Sequence, residues 1–107
     1  MVNRGDIWLV TLDPTVGREI QKTRPCVIVS PPEMNRYLQT VLAAPMTSGG
    51  RAAPFRIAVE FQQKQSLILL DQLRALDKTR LVKKMGTLPD ATLCATLATL
   101  QDVFSEH

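Results

Sequence analysis

Gly17-Arg18-Glu19-Ile20-Gln21-Lys22-Thr23-Arg24-Pro25 runs directly into Cys26-Val27-Ile28-Val29. A polar loop ends on an arginine, and the arginine stands at the mouth of a short, unbroken apolar run. Such a run predicts a strand covered on both faces. Pro25 fixes its own φ and pushes Arg24 toward extended backbone, so the guanidinium is delivered at a rigid strand entrance. Glu19 lies on the same loop, with Lys22 between them. A second polar cluster, Thr47-Ser48-Gly49-Gly50-Arg51, follows the next apolar run, Val41 to Met46. Two such strands would deliver Arg24 and Thr47 to the same end of a sheet. Arginine, a hydroxyl, a carboxylate and a glycine pair are the groups a phosphodiester site employs. The plainer alternative is a surface ion pair between Arg24 and Glu19 on a solvated loop.

Working outward, Asp6 to Leu12 mixes Ile, Trp, Leu, Val and Thr before Asp13-Pro14 stops it, which predicts a strand. Residues 13–23 show no apolar periodicity and form a long loop, a common place for function. Ser30-Pro31-Pro32 ends the strand after Arg24, and Glu33 to Tyr37 suits one short helical turn. Pro45 cannot donate to a ladder, so it predicts an edge or a bulge just before Thr47. Phe55 to Phe61 alternates apolar and polar residues, the pattern of a half-exposed strand. Gln62 to Gln65 reads as a connecting loop, Ser66 to Leu70 as a buried strand, and Leu73 to Leu76 as extended. Arg80 to Leu88 reads as a strand, with or without a short helical turn. Pro89 suits a first helical position and Asp90 the positive end of a helix. Leu93, Leu97, Leu100 and Phe104 then form one apolar stripe, which packs on the sheet and carries no chemistry. Many strands and one late helix predict a mainly β or α+β fold.

The 107 residues, 45% of them apolar, suffice for one domain, residues 1–107, with a modest core. No apolar run approaches the length of a membrane span, and the N-terminus lacks the pattern of a signal peptide, which together argue for the cytoplasm. Cys26 and Cys94 are far apart, with no paired-cysteine motif and no histidine beside them. We therefore expect two buried thiols and no metal site. The single histidine is His107, the last residue. Chemistry that needs an imidazole base or ligand has no internal candidate, and no cofactor is expected. Residues 1–88 hold all 13 lysines and arginines and 7 of the 10 acids, whereas the rest of the chain holds acids and no base. A basic body with an acidic tail favours an anionic partner such as nucleic acid, although a merely soluble basic domain would have the same balance.

Arg4-Gly5-Asp6-Ile7-Trp8-Leu9-Val10, with Leu12-Asp13-Pro14-Thr15, resembles the opening of the MazF/PemK family of toxin endoribonucleases. Glu19 through Thr23-Arg24-Pro25 is similar to that family's arginine–proline entry into an apolar strand. Ala44-Pro45-Met46-Thr47-Ser48-Gly49-Gly50 and Leu70-Asp71-Gln72 are similar to its two following blocks. No single block is specific; their order over nearly the whole chain is. The resemblance implies a small, strongly bent SH3-like barrel of the MazF/PemK/CcdB type. It implies a sequence-selective, metal-independent ribonuclease that acts on single-stranded RNA, leaving a 2′,3′-cyclic phosphate and a 5′-hydroxyl. It further implies a homodimer, and a cognate antitoxin whose acidic, disordered segment covers the RNA groove.

The same resemblance carries catalytic roles onto Arg24 and Thr47. Arg24 would neutralise the phosphorane, because its fork matches two phosphate oxygens, while Thr47 would hydrogen-bond a non-bridging oxygen. Glu19 is a candidate base on physical grounds, with an Arg24 or Lys22 ion-pair partner as its alternative role. Lys22, Thr23, Ser48, Arg51, Asp71 and Gln72 are the candidate RNA-binding residues. Asp71 would otherwise satisfy backbone groups at a strand end. The chain departs from the family at Leu69, where certain members carry an arginine, and it lacks the histidine others have in the first loop. Both departures favour a centre built on Arg24 and Thr47. Trp8 is expected in the core rather than as a base-stacking platform. Two other readings are a gyrase-poison type of protein-binding toxin on the same fold, acting through the end of its C-terminal helix, and a non-catalytic RNA-binding barrel.

Overall fold

A computed structural model describes residues 1–106; His107 lies outside the described residues. Seven strands form one curled antiparallel sheet, with a short helix after the second strand and a longer one at the end. The strands are β1 (Asp6–Thr11), β2 (Thr23–Ile28), β3 (Thr40–Thr47), β4 (Arg56–Phe61), β5 (Lys64–Leu69), β6 (Arg74–Asp77) and β7 (Leu81–Thr87). The helices are α1 (Pro32–Tyr37) and α2 (Asp90–Val103). Spatial order is β4-β5-β3-β2-β1-β7, and β6 pairs with the first half of β3.

The run after Arg24 is covered on both faces, as its unbroken apolarity predicts. Val27 packs with Ile7, Ala44, Met46 and Ile68 on one side, where Leu93, Leu97 and Leu100 of α2 lean against the cluster. Cys26 and Ile28 pack on the other side with Val10, Leu12, Val41 and Leu76. Each fully buried aliphatic side chain contributes about 1.5–3 kcal/mol relative to exposure, so these two clusters hold the curl. Gly5 lets α2 approach. Its φ is +91°, and a Cβ there would meet Leu93 Cδ2 at 2.9 Å. Asp6 is buried but satisfied: it accepts from Asn3 N at 2.8 Å and pairs with Lys84 Nζ at 3.3 Å. The Trp8 indole donates to the same carboxylate at 3.4 Å and its ring packs on the second cluster, in line with a core role.

Four expectations are corrected. Gln62 to Gln65 is not a loop of four: Phe61 pairs with Lys64, leaving a two-residue turn at Gln62-Gln63. Phe104 leaves the α2 stripe and is exposed, because the helix ends at Val103; Thr96 is buried instead. Pro89 caps α2 from outside, and Asp90 is the first helical residue. Cys94, expected to be buried, is exposed.

The feature that positions the site is β3. Its middle pairs with β2, in the register Cys26 to Pro45 and Val27 to Ala44. Its last two residues leave β2 and pair with β5 instead, Met46 to Ile68 and Thr47 to Leu67. The change falls directly after Pro45, the residue without an N–H to give. Past that point β2 and β3 diverge, and a cleft opens between their ends.

Candidate active site

Arg24, Pro25, Met46, Thr47, Ser48, Phe61, Gln62, Lys64 and Ser66 line that cleft, which encloses about 200 Å³. The convergence of Arg24 and Thr47 follows from the two strands. The β2–β3 ladder stops at Cys26 and Pro45, two residues short of each. Arg24 is itself paired with Val10 of β1, which fixes its backbone. Its Nε donates to the Gln21 carbonyl at 3.1 Å. That bond holds the guanidinium plane, and the two terminal nitrogens take no protein acceptor among the described residues. Thr47 Oγ1 accepts from Gly49 N at 3.3 Å, so its own proton is left to donate. Gly50, at φ +108°, completes the turn; a Cβ there would lie 3.5 Å from the Thr47 methyl.

The charge lining is one-sided. Arg24 and Lys64 border the cleft, and among the described residues no carboxylate does. Two cations, hydroxyls and a turn fit a phosphate and the charge it gains during displacement. The Cys26 thiol beneath is not a competing nucleophile. Burial pushes its pKa up to about 12, against the opposing pull of the Arg74 and Arg24 cations.

Glu19, Asp71 and Gln72 line a second cleft with Leu12, Ile20, Pro45, Leu73 and Arg74. β3 passes between the two: Pro45 borders one, Met46 and Thr47 the other. Glu19 therefore does not share the Arg24–Thr47 cleft. It forms an ion pair with neither Arg24 nor Lys22; its Oε1 accepts from Val16 N at 2.7 Å, closing a turn in its own loop. Gln72 Oε1 accepts from Ile20 N at 2.8 Å and ties that loop to the end of β5. Lys22 has a positive φ and gives its N–H to Asp13 at 3.0 Å. Thr23 pairs with Thr11. Lys22, Thr23 and Arg51 are exposed and border neither cleft.

Asp71 is engaged by a residue the sequence reading missed. Arg56 grips it with two bonds, Nε to Oδ1 at 3.1 Å and Nη2 to Oδ2 at 3.0 Å. That grip, more than the opposing effect of partial burial, holds the Asp71 carboxyl below its usual range. Arg56 Nη1 also donates to the Arg51 carbonyl at 3.0 Å, so one guanidinium joins the turn after Thr47 to the end of β5. The register places Arg56 directly across from Leu69. Gln62, Lys64 and Ser66 were likewise missed as cleft residues. Their only sequence signal was two strands separated by a short polar stretch.

Among the described residues no helix is long and apolar enough to cross a membrane, and no group of three histidine, cysteine or acidic residues gathers as a metal site.

Residues 3–104 match a family model described as the PemK-like, MazF-like toxin of type II toxin–antitoxin systems. The chain is 36% identical over 110 residues to endoribonuclease PemK of Escherichia coli, covering 97% of this chain and 83% of that one. It is 37% identical over 99 residues to endoribonuclease MazF of Staphylococcus epidermidis, covering 87% and 82%. Among solved structures, MazF of Deinococcus radiodurans superposes with a TM-score of 0.84 at 23% identity, over 95% of this chain and 94% of that one. A mycobacterial endoribonuclease in complex with its cognate antitoxin superposes at 0.79 and 22% identity, over 95% and 93%.

Proposed function

The chain belongs to the family of PemK-like, MazF-like toxins of type II toxin–antitoxin systems, and from that premise we propose that it is a sequence-selective endoribonuclease acting on single-stranded RNA. One observation carries the reading to a mechanism: Arg24 and Thr47 border one cleft that has cations and hydroxyls and no carboxylate. The scissile phosphate sits there. The 2′-oxygen forms a bond to phosphorus as the bond to the 5′-oxygen breaks. Charge gathering on the non-bridging oxygens meets the fork of Arg24 and the hydroxyl proton of Thr47. An arginine is a poor base, since guanidinium stays protonated, so Arg24 stabilises charge and donates hydrogen bonds. Glu19 borders the other cleft, so the 2′-hydroxyl proton passes to solvent rather than to it, and the departing 5′-oxygen takes its proton from solvent while hydrogen-bonded by Arg24. The products are a 2′,3′-cyclic phosphate and a 5′-hydroxyl.

The working unit is a cytoplasmic homodimer of one-domain protomers, held inactive by a cognate antitoxin. The relatives' complexes with antitoxin support that partner, and the basic body supports an acidic segment as what it binds. RNA and an acidic peptide then compete for the same face. RNA affinity falls with salt, with a logarithmic slope of about −1.4 or steeper if Arg24 and Lys64 each neutralise one phosphate of a single strand. Titration of a fluorescent RNA between low and high salt measures the slope, and a flat response would exclude the basic groove.

The direct test is incubation of purified protein with a long single-stranded RNA in EDTA, followed by sequencing of the fragment ends. Cleavage at a recurring motif, with 5′-hydroxyl ends, is expected. Activity lost in EDTA and restored by Mg²⁺ would assign the chemistry to a metal. Binding without cleavage would leave an RNA-binding barrel.

A further inference from the structure

The wall of the cleft facing Arg24 is the β4–β5 hairpin. Phe61 pairs with Lys64, so the turn between them has only Gln62 and Gln63. Both have positive φ, 50° and 64°. Hairpins of this length need that backbone and normally obtain it from Asn, Asp or Gly. Two glutamines are an unfavourable choice for the turn itself, which points to a use for a side chain.

Gln62 and Gln63 differ in where they stand. Gln62 borders the cleft beside Lys64 and Ser66, across from Arg24, Thr47 and Ser48; Gln63 does not. Beneath them Phe61, partly buried against the core beside Gly86, lines the cleft as an apolar floor. A phosphate held by Arg24 and Thr47 brings a neighbouring nucleotide against this wall. A primary amide presents a donor pair and an acceptor side by side, the complement of a base edge. Unpaired bases in single-stranded RNA expose their Watson–Crick edges to such readers.

We propose that Gln62 is a specificity-determining residue: its amide reads the base edge of a nucleotide adjacent to the scissile phosphate, while Lys64 holds a flanking phosphate. This rests on the ribonuclease reading above. The design separates two roles within one cleft. Arg24 and Thr47 act on a group every nucleotide has, and Gln62 acts on what distinguishes one nucleotide from another.

The test uses full-length protein and an RNA pool with random positions around the cut, with all fragment ends sequenced. Wild type, Gln62→Gly, Gln62→Asn and Gln63→Gly are compared. Glycine and asparagine suit positive φ, so the turn is kept or improved in each variant. Gln62→Gly removes the amide, and Gln62→Asn draws it back by one methylene. Both are expected to lower the preference at one position beside the cut about tenfold or more, the scale of one lost base contact. Gln63→Gly is expected to keep the wild-type pattern. The proposal is overturned if both Gln62 variants keep the wild-type preference at every position. It is also overturned if they lose rate evenly across all sequences, or if Gln63→Gly changes the pattern in the same way. Absence of cleavage by wild type is a separate outcome, and it overturns the ribonuclease reading instead.

Discussion

Replacing Arg24 with alanine is expected to slow single-turnover cleavage roughly 10²–10³-fold, the loss seen when one preorganised donor to a developing oxyanion is removed. Folding should hardly notice. Arg24 is half-buried, its guanidinium makes one protein hydrogen bond among the described residues, to the Gln21 carbonyl, and no ion pair among them depends on it. A bond of that kind is worth about 1 kcal/mol net, and its carbonyl partner in the loop can turn to water. Arg24→Lys distinguishes the roles an arginine can play here. An ammonium keeps the charge and loses the planar fork, so it rescues a steering role and rescues transition-state contact poorly. The measurement is cleavage at saturating protein for the wild type and both variants, with melting curves for folding. A folded Arg24→Ala that cleaves at nearly the wild-type rate would remove Arg24 from the chemistry.

A larger effect is expected from the substrate side. An RNA with a single 2′-deoxy sugar on the 5′ side of the cut should remain intact at that bond while its other sites are cut normally. The proposed reaction takes its nucleophile from the substrate, so removing that oxygen removes the reaction rather than slowing it. Binding should barely change, because the proposed contacts of Arg24, Thr47 and Lys64 are to phosphate. Cleavage of the substituted bond would show that water attacks, and would require a group to activate it. The Arg24–Thr47 cleft has no carboxylate to do so, and Glu19 would then become the residue to examine from its place across β3.

Part of the candidate cleft is legible in the chain itself. Arg24 stands at the entrance of one apolar run and Thr47 at the exit of the next, and consecutive antiparallel strands bring those two ends together. Pro45 marks the place where β3 changes partner, because a missing N–H has a fixed consequence for a ladder. What escapes is of two kinds. The Arg56–Asp71 grip joins β4 to the residues after β5, and a contact across two strands leaves no local pattern. The Gln62-Gln63 turn carries none of the residues that normally announce a turn, so two strands and their hairpin read as strand, loop and strand. Glu19 misleads for the opposite reason. It is close to Arg24 in sequence, yet its loop folds back on Val16, and nearness along a loop does not survive such a turn. Phe104 shows the same limit at a helix end, where a periodic stripe runs past the last helical residue.

The order of the strands also bears on how this protein is made. β1 is synthesised before the other six strands but has β7 as one of its two neighbours, with Asp6 set against Thr87. The sheet therefore gains β7 only after the other six strands are made, and α2, which covers one core cluster, emerges later still. Contacts so distant in sequence slow folding. Until then β1 is an open edge over an uncovered apolar face, the state most exposed to aggregation and proteolysis. A chain cut short before β7 would keep that open edge even though its second and third strands, with Arg24 and Thr47, had already been made.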